Sequence, residues 1–246
     1  MRGTNTELLA VVDVDADTLG VAPGTVRRFL VLPWVGAALV ASTALYRPLF
    51  RLLTKEDRIL EWAQFGVLVL AAVTITKVAL HLRREGRPSF ALVWALFAAG
   101  CVVIAGEEIA WGQRILGLET PEALDEVNHQ GQITAHNIRG VQDAINLVFT
   151  AAGLYGSVVA GLLRWRARGA PSTTVRLLTP PLFLGSLFLI VAGYKAARLL
   201  VLHEARFIVV KYGEYVELCM AVGFLAFGWY TLRWLRERAA AGEPVG

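Results

Sequence analysis

Cysteine, methionine and histidine are scarce in this chain of 246 residues, at two, two and four copies. Cys101 and Cys219 both fall inside apolar runs, so buried free thiols are expected and a disulfide framework is excluded; no C-x-x-C occurs. Neither H-E-x-x-H nor another tight zinc spacing is present. A serine in a G-x-S-x-G context is also missing. No internal repeat is visible, which gives an inverted-repeat transporter little support. Charge is sparse as well, at 18% of residues. The net charge of +4 comes mostly from arginines at the ends of apolar runs. That placement points to membrane orientation, and a nucleic-acid partner is not expected.

What the chain has instead is apolar length. It is 56% hydrophobic with mean hydropathy +0.54, against roughly 45–50% apolar in soluble domains. A helix needs about 20 apolar residues to cross a bilayer. Six segments qualify: Phe29–Leu49, Ile59–Leu80, Ser89–Trp111, Ala144–Trp165, Leu177–Leu202 and Tyr215–Leu235. The fold expected is all-α, a polytopic transmembrane helix bundle with an added interfacial helix on the extracytoplasmic side. Residues 29–235 form the transmembrane domain, with an outer loop over 112–143 and a cytoplasmic C-terminal tail over 236–246. Pro180 and Pro181 are expected in the first turn of the fifth span, where missing backbone donors cost least. Gly156 and Ala160 form a small-xxx-small pair for close helix approach. Trp34, Trp62, Trp111, Trp165, Trp229 and Trp234 read as interface anchors.

Residues 1–28 are expected to be a disordered cytoplasmic tail. Asp13, Asp15 and Asp17 stand where the apolar core of a signal peptide would run, so no cleavable signal is expected. The same stretch superficially matches the D-x-D-x-T motif of haloacid-dehalogenase phosphatases. A span starting near Phe29 leaves no room for the α/β domain that motif needs. The stretch also fails as a calcium loop, with Thr18 and Gly24 where Gly and Glu are required.

Basic residues near span ends set orientation. Arg27, Arg28, Arg83, Arg84, Arg87, Arg164, Arg166, Arg168, Arg176, Arg233, Arg236 and Arg238 share one side. They outnumber Arg47, Arg51, Lys55, Arg58, Arg114, Arg139, Arg206 and Lys211 on the other. Both termini are therefore expected in the cytoplasm of a plasma or inner membrane, with the lipid bilayer as the principal partner.

Polar residues concentrate near one end. The third span turns polar at Glu107-Glu108 and runs on through Trp111-Gly-Gln113-Arg114, Glu119-Thr-Pro-Glu122 and Asn128-His-Gln130 to His136-Asn137. This E-E-I-x-W-G-Q-R, E-T-P-E, N-x-Q-x-x-x-x-x-H-N pattern resembles a family of uncharacterised bacterial multi-pass membrane proteins. The resemblance covers Glu107–Asn137 and implies no activity. The paired acids and later His also look distantly like CAAX-protease-type intramembrane peptidases. That family has a shorter E-E-x-x-x-R, whereas Arg114 stands six residues after Glu108, and its F-x-x-x-H element is absent.

Helical spacing puts Glu107 and Arg114 on one face, seven residues apart. A helix starting after Thr120 would align His129, Gln132, His136, Arg139 and Asp143 in one stripe, as a solvated face or a polar lining. Further polar residues on this side are Glu61, Gln64, Asn146, Tyr194, Lys195, Arg198, Glu214 and Glu217. The other half offers mainly Lys77 and His81, both able to snorkel.

A charge inside a span costs at least ~2.5–3.5 kcal/mol, so each is a functional candidate by default. The candidate ligand-binding residues are Glu107, Glu108, Gln113, Arg114, His136, Asn137, Lys195, Arg198 and Glu217. Metal-ligand candidates are Glu108, His129, His136 and His203, with a divalent metal as the cofactor considered. Facing pairs of His for haem are not evident. The function expected is binding or transport of a small solute, ion or lipid headgroup. The alternatives are a metal-dependent or acid–base hydrolase or transferase, and a structural membrane subunit whose charges pair internally.

Overall fold

Runs of Leu, Val, Ala and Phe without interior charge favour helices, because lipid offers a backbone no other hydrogen-bond partner. The computed structural model describes residues 2–55, 58–117, 141–168, 170–202 and 207–243, with side chains from residue 10 onward except those of 114 and 115. All regular structure among the described residues is helical. Its elements are α1 (Arg2–Asp17), α2 (Pro23–Thr43), α3 (Arg47–Thr54), α4 (Ile59–Arg84), α5 (Pro88–Glu108), α6 (Gln113–Leu116), α7 (Val141–Leu154), α8 (Ala160–Arg166), α9 (Thr173–Leu178), α10 (Gly185–Leu200) and α11 (Phe207–Ala240). A π-helical segment, Tyr155–Val159, joins α7 to α8. Among the described residues, six helical stretches are long and apolar enough to cross a membrane: Pro23–Thr43, Arg47–Arg84, Pro88–Glu108, Val141–Arg166, Thr173–Leu200 and Phe207–Ala240. The polytopic all-α expectation therefore holds.

Helix α4 packs along both α5 and α11, and α10 packs along α7 and α11. The core between them holds Leu68, Ile75, Val78 and Leu82 of α4, Trp94 of α5, Val191 of α10, and Val216, Met220 and Leu235 of α11. The Phe188 ring fills a notch made by two glycines. A Cβ at Gly156 would lie 2.5 Å from that ring, and one at Gly223 would lie 2.9 Å from it. Gly153 brings α7 against the α10 backbone itself, since a Cβ there would meet the Ala192 backbone nitrogen at 2.6 Å. The close approach expected at Gly156 is thus real, and at Gly153 the neighbour is backbone and not a ring. Cys101 and Cys219 are buried and free.

Several expectations are corrected. The N-terminal tail is helical: Val12, Asp15, Ala16 and Leu19 share a buried face while Asp13 and Asp17 point outward. The prolines do not sit in the first turn of the fifth span. They interrupt it, because neither can donate to a helix ladder. Helix α9 ends at Leu178, Thr179 is extended, and a 3₁₀ turn at Leu182–Leu184 restarts the helix. Trp234 is not an interface anchor. It is 7% exposed and lies against the guanidinium groups of Arg176 and Arg238 at 5.2 and 5.3 Å. The basic first loop contains α3, whose Arg47 and Arg51 are exposed while Phe50 is buried. The interfacial helix expected over 121–143 lies largely outside the described residues.

Candidate functional site

Helix α5 stops where the signature begins. Ala110 and Trp111 take left-handed φ values of 47° and 52°, and Gly112 follows at 81°. This reversal folds Trp111 back over Gly106, where a Cβ would lie 2.8 Å from the indole. The Trp111 indole N–H donates to Glu107 Oε1 at 2.7 Å. Left-handed backbone at two non-glycine residues costs on the order of 1–3 kcal/mol each, and such outliers gather at functional sites. Its consequence here is that Glu107 serves the turn while Glu108 faces the bundle. The expected Glu107–Arg114 helix face does not form, because the break lies between them. Beyond the turn, Gln113 is buried.

Glu108 meets residues from three other helices. Gln64 of α4 is fully buried, and its Nε2 donates to Glu108 Oε1 at 2.7 Å. Glu214 and Glu217 lie one turn apart on α11, and one carboxylate oxygen from each of Glu108, Glu214 and Glu217 lies within 4.8 Å of the others. Lys195 of α10 forms an ion pair with Glu217 and lies 4.9 Å from the centre of the Phe149 ring on α7. Lys211 reaches Glu214 at 3.5 Å. Buried Glu61 is close enough to Glu108 and Glu214 to act on both electrostatically. Four helices thus deliver this cluster near one end of the bundle.

Charge repulsion is the dominant fact of the cluster. Two full negative charges within 4.8 Å of each other repel by at least about 3.5 kcal/mol at an effective dielectric of ~20. Lys195 and Lys211 offset part of this through Glu217 and Glu214. Glu108 differs: its hydrogen-bond partner among the described residues is the neutral Gln64 amide. The Gln64 Oε1 atom is buried with no hydrogen-bond partner among the described residues. Oxygen donors of this kind suit a cation.

A second polar cluster occupies the opposite end. Arg164 of α8 and Asp15 of α1 form an ion pair at 2.5 Å with side chains 1% and 0% exposed. The other Asp15 oxygen accepts from the Leu182 backbone N–H at 2.8 Å, a donor that the proline break leaves without a helical acceptor. Arg164 also donates to the Thr179 hydroxyl at 3.1 Å and carbonyl at 2.6 Å. Arg176 donates to Thr18 Oγ1 at 3.1 Å. Asp15 and Arg164 each have a full set of partners, which marks a structural clamp on the break. The sequence reading missed it by assigning this half mainly Lys77 and His81. The available signal was an aspartate on the apolar stripe of α1.

Of the sequence candidates, Glu108, Lys195 and Glu217 come together. Glu107 is spent on Trp111. Arg198, one turn after Lys195 on α10, interacts with the Tyr194 hydroxyl, and its Nε has no hydrogen-bond partner among the described residues. Glu214 and Gln64, left out of the candidate set, are members of the cluster. His129, His136, Asn137 and His203 lie outside the described residues, as does the Arg114 side chain. His81, the one described histidine, is far along α4 from Gln64 and close to Glu85.

Comparison of the chain with family models, with curated proteins and with solved structures finds no match.

Proposed function

We propose that this multi-pass protein binds or transports a small cationic species through the Glu108–Glu214–Glu217 cluster. One observation carries the reading: three carboxylates from two helices converge near the ends of membrane-length helices, and the hydrogen-bond partner of Glu108 among the described residues is a neutral amide. Charges inside a membrane domain are expensive and are retained at ligand and ion pathways. A structural ion pair would resemble Asp15–Arg164, where a buried carboxylate and a buried guanidinium answer each other. Acid–base hydrolysis has less support, since no described histidine stands near the acids.

The test is a panel of small cations added to detergent-purified protein: sodium, an alkylammonium, magnesium and calcium. At least one should raise the melting temperature of the wild type and fail to do so for Glu214→Gln. No response to any of them in the wild type contradicts the reading.

The proposal extends to placement. Both termini lie in the cytoplasm of a plasma or inner membrane, supported by the excess of arginines on their side. Membrane-impermeant thiol labelling of intact cells should modify Leu116→Cys and spare Ser172→Cys, and the reverse pattern inverts the topology. The signature over Glu107–Asn137 supports kinship with the bacterial multi-pass family it resembles, and the turn at Ala110–Gly112 gives its Glu-Glu, Trp-Gly and Gln residues distinct physical tasks.

A further inference from the structure

We propose that the cleft between α1 and α8 holds one acyl chain of an anionic phospholipid, with the headgroup phosphate on Arg166. The place is separate from the acidic cluster, and nothing in it depends on the cation-binding reading. The cleft measures about 280 Å³ and is lined by Val11, Val158, Gly161, Leu162, Trp165 and Leu182. No lining side chain carries a charge, so a soluble polar ligand finds no partner there. Val158, Leu162 and Trp165 are 46%, 51% and 47% exposed, and all three belong to a stretch long and apolar enough to cross a membrane. Their surroundings are then lipid, and the cleft opens into it.

Size narrows the occupant. Gly161 has nothing within 4 Å of its Cβ position, so the cleft stays open where a larger side chain would enter it. Val158 comes from the π-helical segment Tyr155–Val159 that precedes α8; such segments are rare and gather at functional sites. From Val158 to Arg166 the helix rises roughly 12 Å, at ~1.5 Å per residue. A helix about 10 Å wide and of that length occupies roughly 900 Å³, several times the cleft. A single hydrocarbon chain is the narrower occupant, and the apolar walls ask for nothing more.

Charge is the independent observation, and it places the headgroup. Val158, Leu162 and Arg166 follow one another at four-residue spacing, so they run along one helix face. Arg166 ends α8, is exposed and has no ion-pair partner among the described residues. Arg164, two residues earlier, is turned the other way and spent on Asp15. Asp13 and Asp17 stand about 200° and 240° around α1 from Val11, at ~100° per residue, and so face away from the cleft. A cation at the mouth of an apolar track matches a phospholipid from phosphate to chain. Basic pockets at the cytoplasmic side of helix bundles take anionic lipid headgroups in the same way.

The test is native mass spectrometry of the delipidated, detergent-purified full chain, with phosphatidylglycerol and phosphatidylcholine of the same acyl chains added separately. The wild type should hold one phosphatidylglycerol about fivefold more tightly than phosphatidylcholine, the effect of one basic residue near a membrane surface. Arg166→Gln should remove that preference and leave phosphatidylcholine binding unchanged. Gly161→Leu should fill the cleft and weaken both lipids by at least about tenfold, which the burial of two methylene groups supplies. Arg236→Gln removes an exposed charge from α11 at the same end of the bundle and should behave as the wild type. Arg166 is exposed, so its variant decides even if Gly161→Leu does not fold. No bound lipid in the wild type overturns the inference. So does a preference lost equally in Arg236→Gln and Arg166→Gln, which would mean diffuse attraction, and so does undiminished binding in Gly161→Leu, which would put the lipid elsewhere. A wild-type dimer that Gly161→Leu turns into a monomer with its lipid retained assigns the cleft to a second copy and overturns it as well.

Discussion

At the scale of single residues, the same chemical group takes opposite roles at the two ends of the bundle. Asp15 has a full set of partners: a guanidinium on one oxygen and a helix-start N–H on the other. Breaking a buried pair by removing one member costs about 3–5 kcal/mol, because the remaining charge is stranded. Asp15→Ala should therefore lower the stability of the purified protein by that order in thermal or denaturant unfolding. Exposed Asp13→Ala should stay within ~0.5 kcal/mol of wild type. Equal effects of the two substitutions would show that the Asp15–Arg164 contact does not hold the fold. Asp15 was visible in the sequence as one of three alternating acids. Its partner was not, because Arg164 is 149 positions away and reads equally well as an orientation signal. Glu108 and Glu217 were legible as costly in-span charges. Glu214 was legible as the same kind of charge yet left out, since spacing along α11 alone does not say which acids face α5.

At the scale of elements, packing is governed by where backbones touch. The contact between α7 and α10 at Gly153 leaves no room for a methyl group. Helix propensity alone favours Ala over Gly by roughly 1 kcal/mol. Overpacking costs typically ~1–3 kcal/mol, and here the obstacle is backbone, which cannot swing aside. Gly153→Ala should therefore destabilise. Gly161→Ala, on α8 with nothing within 4 Å of its Cβ position, should be neutral or stabilising. Opposite signs in melting temperature for these two are the expected result, and two gains would deny the close approach. The sequence showed the spans because twenty apolar residues have one stable form in lipid. It showed the small residues, naming Gly156, but not that Gly153 lies against backbone. Element ends were least legible. The third span ends three residues before Trp111 because of a left-handed turn that ordinary residues rarely adopt. The fifth is split because two prolines break its ladder.

At the scale of the whole molecule, the bundle is polarised. One end is clamped by the buried Asp15–Arg164 pair and its hydrogen bonds, which hold α1 across the proline break. The other gathers four acids and two lysines where α4, α5, α10 and α11 meet. The central claim is that this second gathering is a ligand site, kept at a cost in stability. Thermal unfolding of Glu108→Gln in chelator-containing detergent solution tests it most directly. Neutralising Glu108 removes repulsion from Glu214 and Glu217 and keeps an oxygen able to accept from Gln64. The account predicts a melting temperature equal to or above that of the wild type. A melting temperature several degrees below the wild type would contradict it, because Glu108 would then be part of a structural charge network.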